Sequence, residues 1–354
     1  MNKKQFDKLH ANPSLSLIEA MQKIDFNSKG ILFITTDKNR LVGSVTDGDI
    51  RRAIIRTGDL EMKVAEIMNP NPKVVAIGER QKAQDLITDF QLRAIAVVDQ
   101  VGTLVDIIFD LDKDPAEEND VLTHVPVVIM AGGQGTRLYP FTKILPKPLI
   151  PIGDVPILVR IMDKFRGYGV GEFYISVNYK KNMIKSYLAE HENYKINFVE
   201  EDRPLGTAGS LKLLSDQIDR HFFVTNCDIL IRANYDEIYE YHEKAKNQVT
   251  IITALKNIEV PYGVIEASAN GNILALKEKP HLSYFVNTGM YVLHPDIFHW
   301  IPEKEFFHMT DLIDVLLREN QKVGMYPISE DSFLDMGEWE ELQRMEQRLK
   351  QSSN

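Results

Sequence analysis

One internal repeat restricts the fold more than any other feature. ILFITTDKNRLVGSVTDGDI (Ile31–Ile50) lies over AIAVVDQVGTLVDIIFDLDK (Ala94–Lys113) without a gap, so that Ile31 falls on Ala94 at an offset of 63 residues. Each copy reads as an amphipathic helix, a β-rich run, a polar turn, a second β-rich run and an acidic end, with the helices expected over Leu15–Ile24 and Ala83–Phe90. Between the copies, Pro70 and Pro72 break any helix and return the chain to an extended segment. Two such half-domains are expected to pack together, because neither covers its own apolar face.

The rest of the chain follows another plan. An acidic, Pro-containing stretch from Asp112 to Thr123 carries no apolar periodicity, which sets the expected boundaries: a repeat domain over residues 1–115, a linker over 116–123 and a second domain over 124–354. In that second domain β-like runs alternate with helical ones: VPVVIM, then 155–167, EFYISV, 182–189, INFVEE, 207–214, HFFVTN and 234–246. The alternation predicts an α/β fold with a mostly parallel sheet, whose ligands sit at the carboxyl ends of the strands. A length of 354 residues fits about two domains, and 44% apolar with 26% charged residues fits a soluble globular chain.

A formal charge of -10 disfavours nucleic acid or anionic lipid as a partner. Cys227 is the only cysteine, so no intramolecular disulfide forms. No apolar run approaches the ~20 residues that span a bilayer, and no export signal opens the chain. A cytoplasmic protein with no membrane association is expected.

The richest segment is VPVVIMAGGQGTRLYPFTKILPKPLIPIG, residues 125–153. A buried strand runs into Gly132, Gly133, Gln134, Gly135 and Thr136, where bare backbone amides can approach a polyphosphate and Arg137 adds a fixed positive charge. It is not a P-loop, since no Gly-Lys-Ser/Thr follows, nor a dinucleotide fingerprint, since Leu138 stands where a third glycine belongs. A second cation, Lys147, follows ten residues after Arg137, held between Pro146 and Pro148. Downstream, Leu205-Gly206-Thr207-Ala208-Gly209 places small residues at a helix start, where amides can read the edge of a planar base. Asp228 and Asp335 each follow an apolar run, a setting suited to an oxygen-loving cation such as Mg2+.

Over residues 125–345 the chain resembles the sugar-1-phosphate nucleotidyltransferases, with their Rossmann-like nucleotide-diphospho-sugar transferase fold. The resemblance implies that the glycine loop (Gly132, Gly133, Gly135, Thr136) and Arg137 hold a nucleoside triphosphate. Lys147 would lie between the reacting phosphates, Gly206 and Thr207 would meet the base, and Asp228 and Asp335 would hold Mg2+. The Tyr262-Gly263-Val264-Ile265, Glu278-Lys279-Pro280 and Asn287-Thr288-Gly289 segments match the family's sugar pocket, which assigns Gly263, Glu278, Lys279 and Asn287 to a sugar 1-phosphate. The segment at Leu205 most resembles guanylyltransferase members such as the mannose-1-phosphate enzymes, which implies GTP as the donor.

The N-terminal third resembles a tandem of cystathionine β-synthase-type (CBS) repeats, an α+β module, through Gly43-Ser44-Val45-Thr46-Asp47-Gly48-Asp49. In that family the threonine touches a ligand phosphate and the last aspartate a ribose, which implies a regulatory adenine or guanine nucleotide at Thr46 and Asp49. The second copy keeps Asp112 but has Asp106 and Phe109 where the glycine and threonine belong, so one complete site per chain is expected. A homo-oligomer formed through the CBS pair is also expected. The fusion of a CBS pair to a short transferase is similar to the glucosamine-1-phosphate guanylyltransferases of bacterial legionaminic acid synthesis, which implies GDP-glucosamine as product.

Overall fold

The computed structural model describes residues 6–343 and 345 apart from residues 28, 91, 110–119, 192 and 338–340. Asp112 and residues 116–119 of the expected linker lie outside the described residues. The chain divides into two compact units, one built on Met1–Pro115 and the other on Ala116–Ile328 with Ser332–Asn354. No described helix is long and apolar enough to cross a membrane.

In the first unit the repeat is reproduced element by element from the first strand of each copy to the third. The first copy holds β1 (His10–Ala11), a helix over Leu17–Asn27, β2 (Ile31–Thr35), β3 (Leu41–Thr46) and a helix over Asp47–Thr57. The second holds β4 (Val74–Ala76), a helix over Arg80–Phe90, β5 (Ala94–Val98) and β6 (Leu104–Phe109). In both copies the first strand runs parallel to the second and the second antiparallel to the third. Even the bulge recurs, at Ile34/Thr35 and at Val97/Val98.

The helices start away from where apolar periodicity placed them. Ser16 and Glu19 form a reciprocal cap in front of Leu17, and polar residues open the helix at Arg80. The two copies meet at equivalent turns, where Asn39 and Gly102 both take the left-handed conformation. Leu41 N donates to Gly102 O at 3.0 Å and Leu104 N donates to Asn39 O at 2.9 Å. That exchange makes the pair pseudo-two-fold. Ile31, Phe33, Ala94, Ala96, Leu104 and Ile107 fill the core that the copies share.

The second unit runs β7 (Val127–Met130), the small hairpin β8 (Pro151–Ile152) and β9 (Val155–Pro156), a helix over Ile157–Arg166, β10 (Glu172–Val177), a helix over Lys181–Leu188, and β11 (Lys195–Glu200). A short helix over Gly206–Gly209 continues as a 3-10 segment, Ser210–Leu214, before β12 (Phe222–Asn226), β13 (Ile229–Ile231) and a helix over Tyr235–Ala245. There follow β14 (Val249–Glu259), β15 (Val264–Ala267), β16 (Ile273–Lys277), β17 (His281–Leu293), a helix over Met309–Arg318, β18 (Val323–Ile328) and β19 (Phe333–Asp335).

Seven strands form one sheet in the order β11-β10-β7-β12-β17-β14-β18. β7, β10, β11 and β12 are mutually parallel, β14 and β18 are parallel, and only β17 opposes its neighbours. The sheet is therefore mostly parallel, as predicted, with one strand reversed. β7 explains its own unbroken apolar run: Val127 and Ile129 enter the core on one face, while Val128 and Met130 enter the core on the other. Met130, Ser176 and Asn226 stand level in β7, β10 and β12, so three strands release their chains at one edge.

Candidate active site

At that edge the loop after β7 folds back on itself. Gly135 sits at φ +64°, and a Cβ there would lie 3.0 Å from Thr142 Cγ2 and 3.1 Å from Lys147 Cβ. Thr142 is fully buried and its hydroxyl donates to Gly135 O at 2.8 Å. A Cβ on Gly132 would stand 3.1 Å from Glu201 Oε1, whereas one on Gly133 would meet nothing within 4 Å. Gly133 therefore turns the loop's open side outward. Beyond it the chain makes three 3-10 turns, Thr136–Leu138, Phe141–Lys143 and Lys147–Leu149, rather than a helix. Pro140, Pro146 and Pro148 lack the amides that a continuous helix requires.

Four charged side chains gather next to this loop. Lys147, only 7% exposed, makes an ion pair with Asp228 Oδ2. Asp228 lies two residues past β12, in the turn to β13. β13 pairs antiparallel with β19, setting Ile229 opposite Asp335, and Met336 N donates to Asp228 O at 2.8 Å. This small ladder brings the two aspartates together across more than a hundred residues of sequence. Gly337 marks the point where Arg137 joins them: a Cβ there would lie 3.1 Å from Asp335 Oδ1 and 3.2 Å from Arg137 Nη1.

Burial, then the Asp228 charge, raises the Asp335 carboxyl above its ordinary pKa, against the Gly337 N–H, Lys147 and Arg137. Two close carboxylates of this kind fit a hard divalent cation, which needs only one or two from the protein when phosphates and water complete its shell. No group of three or more His, Cys, Asp or Glu placed to hold a metal occurs among the described residues. Burial pushes the neighbouring Cys227 thiol up to about 12, which leaves it inert.

The Leu205–Gly209 segment is held from behind. Gly206 has φ +78°, and a Cβ would lie 2.5 Å from Phe307 O. Ala208 N and Gly209 N both donate to Phe307 O, at 3.0 and 2.9 Å, and Leu205 N donates to Glu201 Oε2 at 2.9 Å. These three amides are committed within the protein; those of Gly206 and Thr207, the residues expected to meet the base, are not among them. Thr207 Oγ1 accepts from Met309 N at 2.9 Å, and a small cavity lies between Thr207, Asn226, Tyr291 and His308.

The sugar-pocket candidates fall into two places. Gly263 and Glu278 adjoin, since a Cβ on Gly263 would stand 3.0 Å from Glu278 Oε2, and Lys279 follows in the left-handed region at φ +43°. No described hydrogen bond joins Glu278 or Lys279 to the four-charge cluster. Asn287 lies on β17, where its amide donates to Tyr291 Oη at 2.8 Å and its Oδ1 accepts from Gly289 N at 2.9 Å. The Asn226 side chain packs on Gly289, linking Asn287 to the end of β12.

Sequence reasoning missed Thr142, Asn226 and above all Glu201. That carboxylate is 8% exposed, accepts from Ser176 Oγ at 2.5 Å and from Leu205 N, and ties the glycine loop to the Gly206 turn. Its position in the acidic run EED gave no sign of burial. In the first unit, Thr46 and Asp49 are side by side as a capping box on the helix Asp47–Thr57. Thr46 Oγ1 accepts from Asp49 N at 3.2 Å and donates to Asp49 Oδ2 at 2.7 Å.

Residues 126–352 match the nucleotidyl transferase family and residues 4–56 match the CBS domain. The mannose-1-phosphate guanyltransferase of Emericella nidulans is 32% identical over 204 residues, 55% of this chain and 56% of that protein. Its counterpart in Saccharomyces cerevisiae is 30% identical over 222 residues, 60% of this chain and 61% of that one. The chain thus spans little more than half the length of these curated relatives. Among solved structures, HddC from Yersinia pseudotuberculosis superimposes with a TM-score of 0.52 at 26% identity, covering 64% of this chain and 99% of HddC.

Proposed function

Because this chain belongs to the nucleotidyl transferase family, we propose that residues 124–354 transfer a guanylyl group from GTP to a sugar 1-phosphate. The observation that carries the reading is the convergence of Arg137, Lys147, Asp228 and Asp335 beside a glycine loop with one open side. The guanyltransferase names of the curated relatives support the base.

A sugar-phosphate oxygen attacks the α-phosphorus of GTP in line. The new P–O bond forms as the bond to the β-phosphate oxygen breaks, and pyrophosphate leaves. The attacking phosphate is already ionised near pH 7, so no protein base is needed. Catalysis reduces to holding two anions together and neutralising their charge. Arg137 and the loop amides around Gly133 hold the leaving phosphates, and Lys147 stands between the reacting ones. Asp228 and Asp335 would hold Mg2+, whose chemistry is charge neutralisation on the phosphates. Lys147, paired with Asp228 in this structure, would stand beside that site and offer its ammonium to the substrate phosphates.

Gly206 and Thr207 are assigned to the base, and Gly263, Glu278, Lys279 and Asn287 to the sugar. For the sugar, the relatives' names favour mannose 1-phosphate. The CBS module ahead of the transferase keeps glucosamine 1-phosphate as the second reading. A matrix of nucleoside triphosphates against sugar 1-phosphates, read by mass spectrometry, tests both. Exclusive use of UTP, CTP or dTTP overturns the guanylyl assignment, and the product mass separates GDP-mannose from GDP-glucosamine.

The N-terminal pair is assigned to one regulatory purine nucleotide, its phosphate at Thr46 and its ribose at Asp49, with Asp112 the remnant of a second site. The same pair is assigned to self-association. Calorimetry on the full chain with AMP, ATP and guanine nucleotides, beside Asp49→Ala, tests the first, and light scattering the second. A nucleotide regulates only if it binds two conformations unequally, so rates with and without it complete the test.

A further inference from the structure

Lys180 departs from every local preference of its position. It is the residue before the helix Lys181–Leu188, at φ +51° and ψ 34°, and it makes no side-chain cap. Glycine and asparagine suit the left-handed region, Ser, Thr, Asp and Asn suit a helix N-cap, and a cation is unfavourable at the positive end of a helix. Such departures mark sites where a residue is kept for something other than stability.

The compensating contacts lie across the loop. Lys180 Nζ donates to Lys143 O and to Ile144 O, both at 2.8 Å. Tyr179 Oη donates to Thr142 O at 3.0 Å, and Tyr179 N donates to Gly132 O at 3.4 Å. Two successive residues thus capture three successive carbonyls, 142 to 144, and one at the start of the glycine loop. The carbonyls close the 3-10 turn Phe141–Lys143, where partial negative charge collects and an ammonium is the matching donor. Thr142 passes the constraint on through its hydroxyl to Gly135, which packs against Lys147.

We infer that Lys180, seconded by Tyr179, is a positioning residue: it clamps the segment between Arg137 and Lys147 and so sets where these two cations stand over the substrate phosphates. The inference rests on the roles proposed for Arg137 and Lys147. Lys180 Nζ is bonded to main-chain carbonyls, so the inference requires no substrate contact from it. Displacing a binding cation by ~1 Å costs on the order of 100-fold in rate, so loss of the clamp should be visible in turnover.

Lys180→Asn suits the backbone and the cap but cannot reach the carbonyls, Lys180→Met keeps the length without the charge, and Lys180→Arg keeps donors. Three readouts on the full chain are compared: Tm, kcat/KM for the nucleoside triphosphate, and amide exchange at Ile144 and Leu145. Lys180→Asn is expected to keep or raise Tm, lower kcat/KM by about 10- to 100-fold and speed exchange at those amides at least about tenfold. Lys180→Arg should restore most of both. If Lys180→Asn matches the wild type in rate and exchange, or if Tm and rate fall together in all three variants, the clamp is refuted. A wild type that releases no pyrophosphate with any substrate pair sinks the proposed reaction instead, and the exchange data still decide the clamp.

Discussion

The ammonium of Lys147 rests on the carboxylate of Asp228, 81 residues further along the chain, with side chains only 9% and 16% exposed. Each neutralises a charge that would otherwise be buried alone, and each is also a candidate for the chemistry. Stability and turnover therefore respond differently to the loss of either.

Asp228→Ala leaves the Lys147 cation buried without its partner and is expected to cost ~3 kcal/mol in urea unfolding, more than the double variant with Lys147→Ala. Lys147→Ala should lower turnover by about 2–4 kcal/mol in transition-state stabilisation, the scale of one removed electrostatic donor. Near wild-type turnover in both single variants would remove the active-site assignment.

The glycines separate packing from ligand approach. Gly206→Ala forces a left-handed residue against Phe307 O and should lose roughly 2 kcal/mol or more of stability. Gly133→Ala meets no protein atom and should stay within about 0.5 kcal/mol of the wild type. If phosphates lie over this loop, its KM for the triphosphate rises while Tm holds. An unchanged KM would place the phosphates elsewhere.

Acid should destabilise the chain through His242. Burial, and then the charges of His221 and His294, lower its pKa from 6.5 to about 3. Its Nδ1 bonds Thr250 Oγ1 at 2.8 Å while Nε2 is buried without a described partner, and the His221 ring stands 4.9 Å away. The fold favours the neutral ring, so its contribution is complete above pH 6.5 and is lost progressively as pH falls toward 3. Between pH 7 and 5 that amounts to about 2 kcal/mol, measurable by urea unfolding at each pH. His242→Gln should flatten most of that slope.

Thr46→Ala removes the cap of the helix Asp47–Thr57 and should cost about 1 kcal/mol whether or not a nucleotide binds there. A loss of nucleotide affinity beyond what that destabilisation explains, read by calorimetry at a temperature where the variant is fully folded, is the expected sign of a ligand site.

Much of this protein was legible along the chain, because the signals are local and periodic. The 63-residue offset reappears in strands, helices and bulges, since each copy answers the same pattern with the same elements. EFYISV forms β10 from Glu172 to Val177, and Asn234 and Lys246 end the helix Tyr235–Ala245 where the polar residues fall. Local pattern misled at 207–214, where a continuous helix was predicted. There the α-helix covers only Gly206–Gly209, whose first-turn amides are taken by the Phe307 carbonyl, and the chain goes on as a 3-10 segment to Leu214. What only the tertiary structure decided is every relation between distant charges: Lys147 against Asp228, Asp228 beside Asp335 through the β13–β19 ladder, and Arg137 at Gly337. The burial of Glu201 and the clamp of Lys180 belong with them. Strand order and register create these neighbours, and neither is written in the spacing of residues along the chain.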